Sequence, residues 1–343
     1  MADADIDQRL VIFRRQYLQL FEPDFLAWPP LQLLKNADVQ TWLYKSLFDA
    51  GRVPHLPPSR YQARVLNVLI AKIQKTIGDS EQDVVSNSLM SHLGSLTTNE
   101  SPSELEAVQQ NSYVTFTCNK EGADEPESTV TILERRHLVS GSKTTGFRTW
   151  EGALHLAAYL LSAAGQEVIR GKKVLELGAG TGFLSILCGK QLAARHVTTT
   201  DGDEGVVETL KDNLALNGLG GQKVQPTRLW WGDDLKGTWV DRECASEPYD
   251  VVIGADITYE PVAIRALVST LRQLFDLRPN LLVIIAGVIR NSQTYEIFRH
   301  ECSSKFTLQE IRFQAKSIRE QSSLFYAAAM PIKILKITRA GDS

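Results

Sequence analysis

The segment Val174-Leu175-Glu176-Leu177-Gly178-Ala179-Gly180-Thr181-Gly182 constrains the fold of this chain more than any other. A short apolar run with strand character enters a turn holding three glycines, and a helical run over 183–190 follows at once. Glycine suits a turn that must be tight and must let a ligand reach the backbone. From Trp150 onward the same alternation continues. An apolar helix is expected over 150–164, ended by Gly165. Strands are expected over 173–177, 196–200, 249–254, 281–287, 307–313 and 331–337, with helix-like runs between them. Strands alternating with helices build a mainly parallel sheet covered on both faces. Ligands of such sheets bind at the carboxyl ends of the strands.

The part before Trp150 reads differently. Ile6, Leu10, Phe13, Tyr17 and Leu20 recur at helical spacing, and Pro23, Pro29 and Pro30 break the pattern. Ser59 is expected to cap a second helix that carries Tyr61, Val65, Leu69, Ile73 and Ile77 on one face. Val84, Val85, Leu89 and Leu93 suggest a short third one. The Ser- and Thr-rich stretch 94–100 reads as linker, and Ser101-Pro102-Ser103-Glu104 has the capping-box form. Alternating β-formers over 113–118 and 129–139 flank a polar loop and predict a hairpin. The expected organisation is a helical region over 1–95, a linker over 96–110, and an α/β domain with a leading hairpin over 111–343.

Composition narrows the function classes. The chain has 343 residues, 43% hydrophobic and 22% charged, with a formal net charge of -3. No apolar run approaches the ~18 residues of a membrane span, and the acidic start lacks the basic, then apolar, form of a signal peptide. There is no basic stripe with interleaved aromatics, so nucleic acid is not the expected partner. Cys118, Cys188, Cys244 and Cys302 lie far apart, form no metal-like pair and fit a reduced, cytoplasmic compartment. No metal site and no Ser/His/Asp arrangement is expected. A monomer is the simplest expectation.

The glycine turn distinguishes two cofactors. Dinucleotide enzymes favour G-x-G-x-x-G, with a pyrophosphate on the helix N-terminus. Here Phe183 stands where the last glycine would be, the pattern is G-x-G-x-G, and Glu176 precedes it by two residues. That form points to S-adenosylmethionine, with an NAD-type oxidoreductase as the alternative. The next strand ends in Asp201, 21 positions after Gly180, close to the ~20-residue offset of an acid that binds ribose hydroxyls. Asp203 and Glu204 are rivals, but both also suit the first turn of a helix.

Four groups of residues together resemble the seven-β-strand protein-lysine methyltransferases that carry an Asp-x-x-Tyr motif. They are Phe147-Arg148-Thr149-Trp150-Glu151-Gly152-Ala153, Glu176 to Gly182, Trp231-Gly232, and Gly254-Ala255-Asp256-Ile257-Thr258-Tyr259. The resemblance spans about residues 112–340. Arg14-Arg15-Gln16-Tyr17-Leu18 and Pro58-Ser59-Arg60-Tyr61-Gln62 are similar to the elongation factor 2 lysine methyltransferases of eukaryotes. The resemblance implies a seven-stranded Rossmann-like α/β fold, S-adenosylmethionine as methyl donor and a lysine of elongation factor 2 as acceptor. It implies cofactor contacts from Trp150, Glu176, Gly178, Ala179, Gly180, Asp201, Trp231 and Ala255, and catalytic roles for Asp256 and Tyr259. Trp230 competes with Trp231 for the same position. A methyltransferase of another protein or of a small molecule, and a methyltransferase-like binding module without activity, remain alternatives.

The chemistry sets the roles. A lysine must be neutral to attack a methyl group, yet its free pKa is ~10.4. Burial favours the neutral amine, and a carboxylate opposes it. Asp256 is therefore expected to orient the amine, and Tyr259 to guide its cationic form by cation–π contact. Each has a plainer reading: Asp256 as the cap of the next helix, Tyr259 and Trp150 as packing, His155 as a satisfied core histidine, and Asp233-Asp234 as solvated charges. The helices before residue 95 are expected either to recognise the substrate protein or to serve as a packing module.

Overall fold

The apolar periodicities near the N-terminus become buried helix faces. The structure, a computed structural model, describes residues 6–76, 84–98, 111–121, 126–135, 145–221 and 223–341. These fall into two compact units, one running to Thr117 and including 131–135, the other formed by the described parts of 118–130 and everything from 145 onward. The division runs through the hairpin, which the sequence pattern assigns whole to the second unit.

In the first unit, α1 (Gln8–Leu18) starts at Asp7, whose side chain accepts from the Arg9 amide, and buries Leu10, Phe13 and Tyr17. Two helices follow within the region expected to be helical, the single-turn α2 (Leu31–Leu34) and α3 (Ala37–Leu47), the latter capped by Asn36 and burying Val39, Leu43 and Leu47. In α4 (Ser59–Gln74) the cap position belongs to Pro58 and not to Ser59, which is already helical. An extended proline just ahead of the first turn forfeits no amide bond. Tyr61, Val65, Leu69 and Ile73 are buried together as expected; Ile77 lies outside the described residues. The next helix, α5 (Asn87–Thr98), begins after Val84 and Val85 and continues through Gly94, so helix replaces the expected linker up to Thr98. Residues 99–110, with the capping-box segment, lie outside the described residues. Strands β1 (Ser112–Thr117) and β2 (Thr129–Glu134) form the hairpin, in which the Thr115 and Thr131 hydroxyls are 3.0 Å apart. The rest of the second expected strand, 136–139, is outside the described residues.

The second unit opens with α6 (Glu151–Leu161) and α7 (Ala163–Ile169). Gly165 does not end the first helix. The break falls at Ser162, which caps α7, and Gly165 lies inside it because a Cβ there would stand 2.0 Å from the Tyr159 carbonyl oxygen. Then follow β3 (Lys173–Leu177), α8 (Phe183–Lys190), β4 (His196–Asp201), α9 (Glu204–Leu216), β5 (Val224–Arg228), α10 (Trp239–Ser246), β6 (Val251–Ala255), α11 (Pro261–Leu277), β7 (Leu282–Val288), α12 (Ser292–Ser303), β8 (Phe306–Ile311) and β9 (Ile332–Arg339). The seven-stranded sheet runs β5-β4-β3-β6-β7-β9-β8. The pairs β3–β4, β4–β5, β3–β6 and β6–β7 are parallel, and β9 runs antiparallel between β7 and β8. Strand β5 escapes the apolar pattern because it is an edge strand, with only Val224 buried and Pro226 in its middle.

The core forms where Leu175, Leu177, Val252 and Ile285 of the sheet meet Leu267 and Leu271 of α11. Chain order reverses between β3 and β6, which makes their carboxyl ends a topological switch point. All four cysteines are free and buried. Among the described residues, no helix is long and apolar enough to cross a membrane.

Candidate functional site

A cleft of about 750 Å³ opens in the second unit at the carboxyl ends of β3, β4, β6 and β7. Its floor is the glycine turn. Gly178, Gly180 and Gly182 have φ of +63°, +54° and +80°, a region that residues with a Cβ rarely enter. The turn is tied to the neighbouring strand by the Ala179 amide, which donates to the Thr200 carbonyl at 2.8 Å. A Cβ on Gly178 would stand 2.6 Å from Ile257 and 3.1 Å from the Trp231 ring, and one on Gly180 3.0 Å from the Gly146 carbonyl.

Glu176 braces this turn from the strand side. Only 3% exposed, it accepts the amide of Ser185 at 3.0 Å and also its hydroxyl. Ser185 lies in the first turn of α8, so the carboxyl satisfies one of that helix's open amides. Burial pushes the Glu176 carboxyl up to about 8, against the lowering effect of the Ser185 bonds. Because the folded value exceeds the unfolded one, the stability linked to this group is complete below about pH 4.5 and is lost as pH rises through about 8. Glu176→Gln, neutral at every pH, should therefore gain in melting temperature relative to the parent between pH 5 and pH 9. A difference that stays flat over that range would refute the assignment.

Asp201 closes the far side of the turn. Its carboxylate accepts from the Gly180 amide at 3.1 Å and from the Asp203 amide at 3.1 Å, and burial raises its pKa. Asp203 itself caps α9 by accepting the Val206 amide at 3.0 Å, which is the plainer of its two readings. Both adjacent tryptophans line the cleft. Trp231 is half-buried against the core, and its buried indole N–H has no hydrogen-bond partner among the described residues. Trp230 is 56% exposed and lies over Gly202, whose Cβ would be 3.1 Å from its ring, with Arg228 stacked on it. Trp230 thus also borders the cleft. A carboxylate at a strand end, two indole rings and a backbone too close for side chains are groups of the kind an adenosyl ligand needs. The unpartnered Trp231 N–H would find an acceptor on such a ligand.

Asp256 follows β6 with φ of +53°, a strained conformation outside glycine. Its two carboxylate oxygens accept different amides: Oδ2 takes the Gly152 N–H at 2.7 Å and Oδ1 the Val288 N–H at 3.0 Å. It therefore caps a helix, but not the next one. Trp150 holds the cap position of α6 without a side-chain bond, and Asp256 supplies the missing acceptor from 104 residues away. Gly152 must be glycine, since a Cβ would lie 2.5 Å from Asp256 Oδ2. Burial raises the Asp256 pKa, and the two amides and Arg290 oppose the rise. Tyr259 is 60% exposed on the cleft wall, not packed at a helix start.

Trp150 faces the cleft with its ring already engaged. The guanidinium carbons of Arg148 and Arg290 lie over it at 4.8 and 4.9 Å, and its indole donates to the Thr145 carbonyl at 2.9 Å. Tyr259 is the more exposed of the two rings. Thr149 joins the same segment to the glycine turn through Thr181, hydroxyl to hydroxyl at 2.8 Å. Ala255 ends β6 on the cleft wall, opposite Ala286. His155 is a core histidine but not a fully satisfied one: its Nδ1 is 3.0 Å from the Tyr326 hydroxyl, its buried Nε2 has no hydrogen-bond partner among the described residues, and burial holds its pKa down to about 4. Asp233 and Asp234 are exposed. The cleft also takes in Arg290, Tyr295 and Lys333, which no sequence motif marked.

Comparison with known proteins fits this geometry. Residues 129–304 match the family described as Lysine methyltransferase. The chain is 43% identical over 328 residues to the protein-lysine N-methyltransferase EFM3 of Chaetomium thermophilum, covering 94% of this chain and 96% of that one. It is 34% identical over 231 residues to EFM3 of Saccharomyces cerevisiae, covering 61% of this chain and 66% of that one. It is 31% identical over 218 residues to the human protein-lysine N-methyltransferase EEF2KMT, covering 61% and 64%.

Proposed function

The chain belongs to the lysine methyltransferase family as a protein-lysine N-methyltransferase that uses S-adenosylmethionine, and from that premise we propose that its cleft methylates a lysine of elongation factor 2. The observation that carries the assignment of the acceptor site is Asp256: a strained, largely buried carboxylate fixed by two backbone amides at the wall of the cleft. The choice of elongation factor 2 rests on the resemblance of the Arg14–Leu18 and Pro58–Gln62 segments.

When bound, the cofactor supplies an activated sulfonium methyl group, so the protein's part is position and electrostatics. Gly178, Ala179 and Gly180 form the turn that takes its amino-acid and ribose portions, and Asp201 accepts from the ribose hydroxyls. Trp231 and Ala255 would border the base, and Trp150 would lie beside the cofactor. Glu176 acts through the turn it supports. Asp256 orients the incoming amine by accepting hydrogen bonds on lone pairs not used by Gly152 and Val288. Tyr259 guides the lysine through the face of its exposed ring. The amine proton leaves to water before attack.

We also assign the first unit to the choice of substrate protein. Tyr17 and Tyr61, from the two N-terminal motifs, pack together at 5.4 Å between ring centroids and belong to its core. Recognition would then fall to exposed residues such as Arg60 and Lys75 of the α4 region. Arg60→Glu with Lys75→Glu should weaken labelling of the substrate while leaving cofactor affinity intact; unchanged labelling would remove this role. The enzyme is taken to act as a cytoplasmic monomer, and light scattering at twice the chain mass would overturn that state.

The test of the function is incubation of the purified protein with labelled cofactor and a cell extract. One labelled band near the mass of elongation factor 2 is expected, and Asp256→Ala should reduce it at least 100-fold, in line with the loss of a positioning group. Label found only in small molecules would overturn the reading.

A further inference from the structure

The cleft wall beside Asp256 carries a structured group of charges. Arg290 Nη2 is 3.2 Å from Glu151 Oε2, and Arg148 Nη2 is 3.8 Å from Glu151 Oε1. Both guanidiniums stack on Trp150. One carboxylate, Glu151, therefore serves two guanidiniums, and the Arg290 charge also acts on Asp256, opposing the rise of its pKa. The group straddles Asp256. The amide that binds its Oδ2 belongs to Gly152, next to Glu151, and the amide that binds its Oδ1 belongs to Val288, two residues before Arg290.

An acceptor amine oriented by Asp256 faces an electrostatic difficulty. The carboxylate that holds it also favours its unreactive ammonium form. A fixed cation nearby favours the free amine. From these placements we propose that Arg290 is a positioning residue whose guanidinium, pinned by Glu151 and Trp150, keeps the acceptor lysine neutral beside Asp256. The proposal rests on the reading of Asp256 as the group that orients the amine.

The other charged groups lining the cleft do not duplicate it. The other acids lining the cleft, Glu176, Asp201 and Asp203 around the glycine turn and the exposed Glu260 before α11, act in the opposite sense. Lys333 of β9 is 2.5 Å from Glu310, which offsets its charge. Arg148 is shared with Glu151 at the longer distance. Tyr295 is a phenol of the cleft whose pKa burial raises.

The experiment follows the initial rate of methylation of the labelled extract protein from pH 6 to pH 10, for the parent, Arg290→Gln and Arg290→Lys. Loss of the charge should raise the apparent pKa of the rising limb by about one unit, a factor of about ten in rate at pH 7. The parent-to-Gln ratio should then fall toward one as pH approaches 10, and should shrink in 1 M salt, because the side chain is partly exposed. Arg290→Lys should keep most of the parent profile, and S-adenosylhomocysteine affinity by calorimetry should be unchanged in both variants. A Gln variant slowed by the same factor at every pH, or not slowed at all, overturns the proposal. A parent that labels no protein overturns instead the reading on which it rests.

Discussion

Gly152→Ala is expected to reduce methyl transfer at least 100-fold although it adds one carbon and removes no functional group. Helix propensity argues for the opposite outcome. Gly152 lies in the first turn of α6, where alanine would ordinarily be favoured by up to ~1 kcal/mol. Contact distance decides the matter. The new Cβ would stand 2.5, 2.6 and 2.7 Å from the Asp256 carboxyl atoms, well inside van der Waals separation. The carboxylate must move, and with it go the bonds to the Gly152 and Val288 amides. Each is a charge-assisted bond of roughly 1.5–3 kcal/mol, so the melting temperature should fall as well. A shift of about 1 Å in a positioning group is enough for a hundredfold loss. The check is kcat/KM with S-adenosylhomocysteine affinity measured in parallel. Rate should fall while affinity stays within a few-fold. Since both changes act on one carboxylate, Gly152→Ala should add little to Asp256→Ala. A Gly152→Ala enzyme with parental rates would show that the position of Asp256 does not matter.

Gly178→Val should abolish measurable cofactor binding, with at least a 100-fold rise in the Kd of S-adenosylhomocysteine. Two effects add here. At φ +63° a β-branched residue is strained by at least ~1–2 kcal/mol. Its Cβ would also drive into Ile257 and Trp231, both of which line the cleft. Gly218→Ala provides the contrast. Gly218 has a similar φ of +71° but nothing within 4 Å of its Cβ. It should therefore show the backbone strain as a lower melting temperature, with cofactor affinity unchanged. Equal loss of affinity in both variants would mean that strain alone, and not the shape of the cleft, explains the effect.

These two glycines differ in how far the sequence reveals them. Gly178 sits in a local pattern of strand, turn and helix, where spacing alone identifies a tight turn that needs glycine. Asp201 is legible in the same way, because a strand end at a fixed distance from the turn is a local property. Gly152 has no such pattern. Its need for glycine arises from Asp256, which reaches it only when β6 lies beside β3 and α6 packs on the sheet. Glu176 is intermediate. The sequence marks it as special, but only the fold shows that its carboxyl binds Ser185 beneath the turn. The edge strand β5 and the single-turn helix α2 are missed for a plainer reason: each is too short or too polar to carry a period.

The sequence by itself determined the α/β class, the glycine turn and the acid at the end of the next strand. Each depends on neighbours along the chain, where periodicity and turn chemistry act directly. Only the tertiary structure decided what Asp256 does, because its two amide donors come from elements 104 and 32 residues away. The same holds for the Trp150 ring, which is engaged by Arg148 close in sequence and by Arg290 far from it. A carboxylate's role is set by the donors and charges that surround it, and those are brought together by the packing of the sheet and not by the order of residues along the chain.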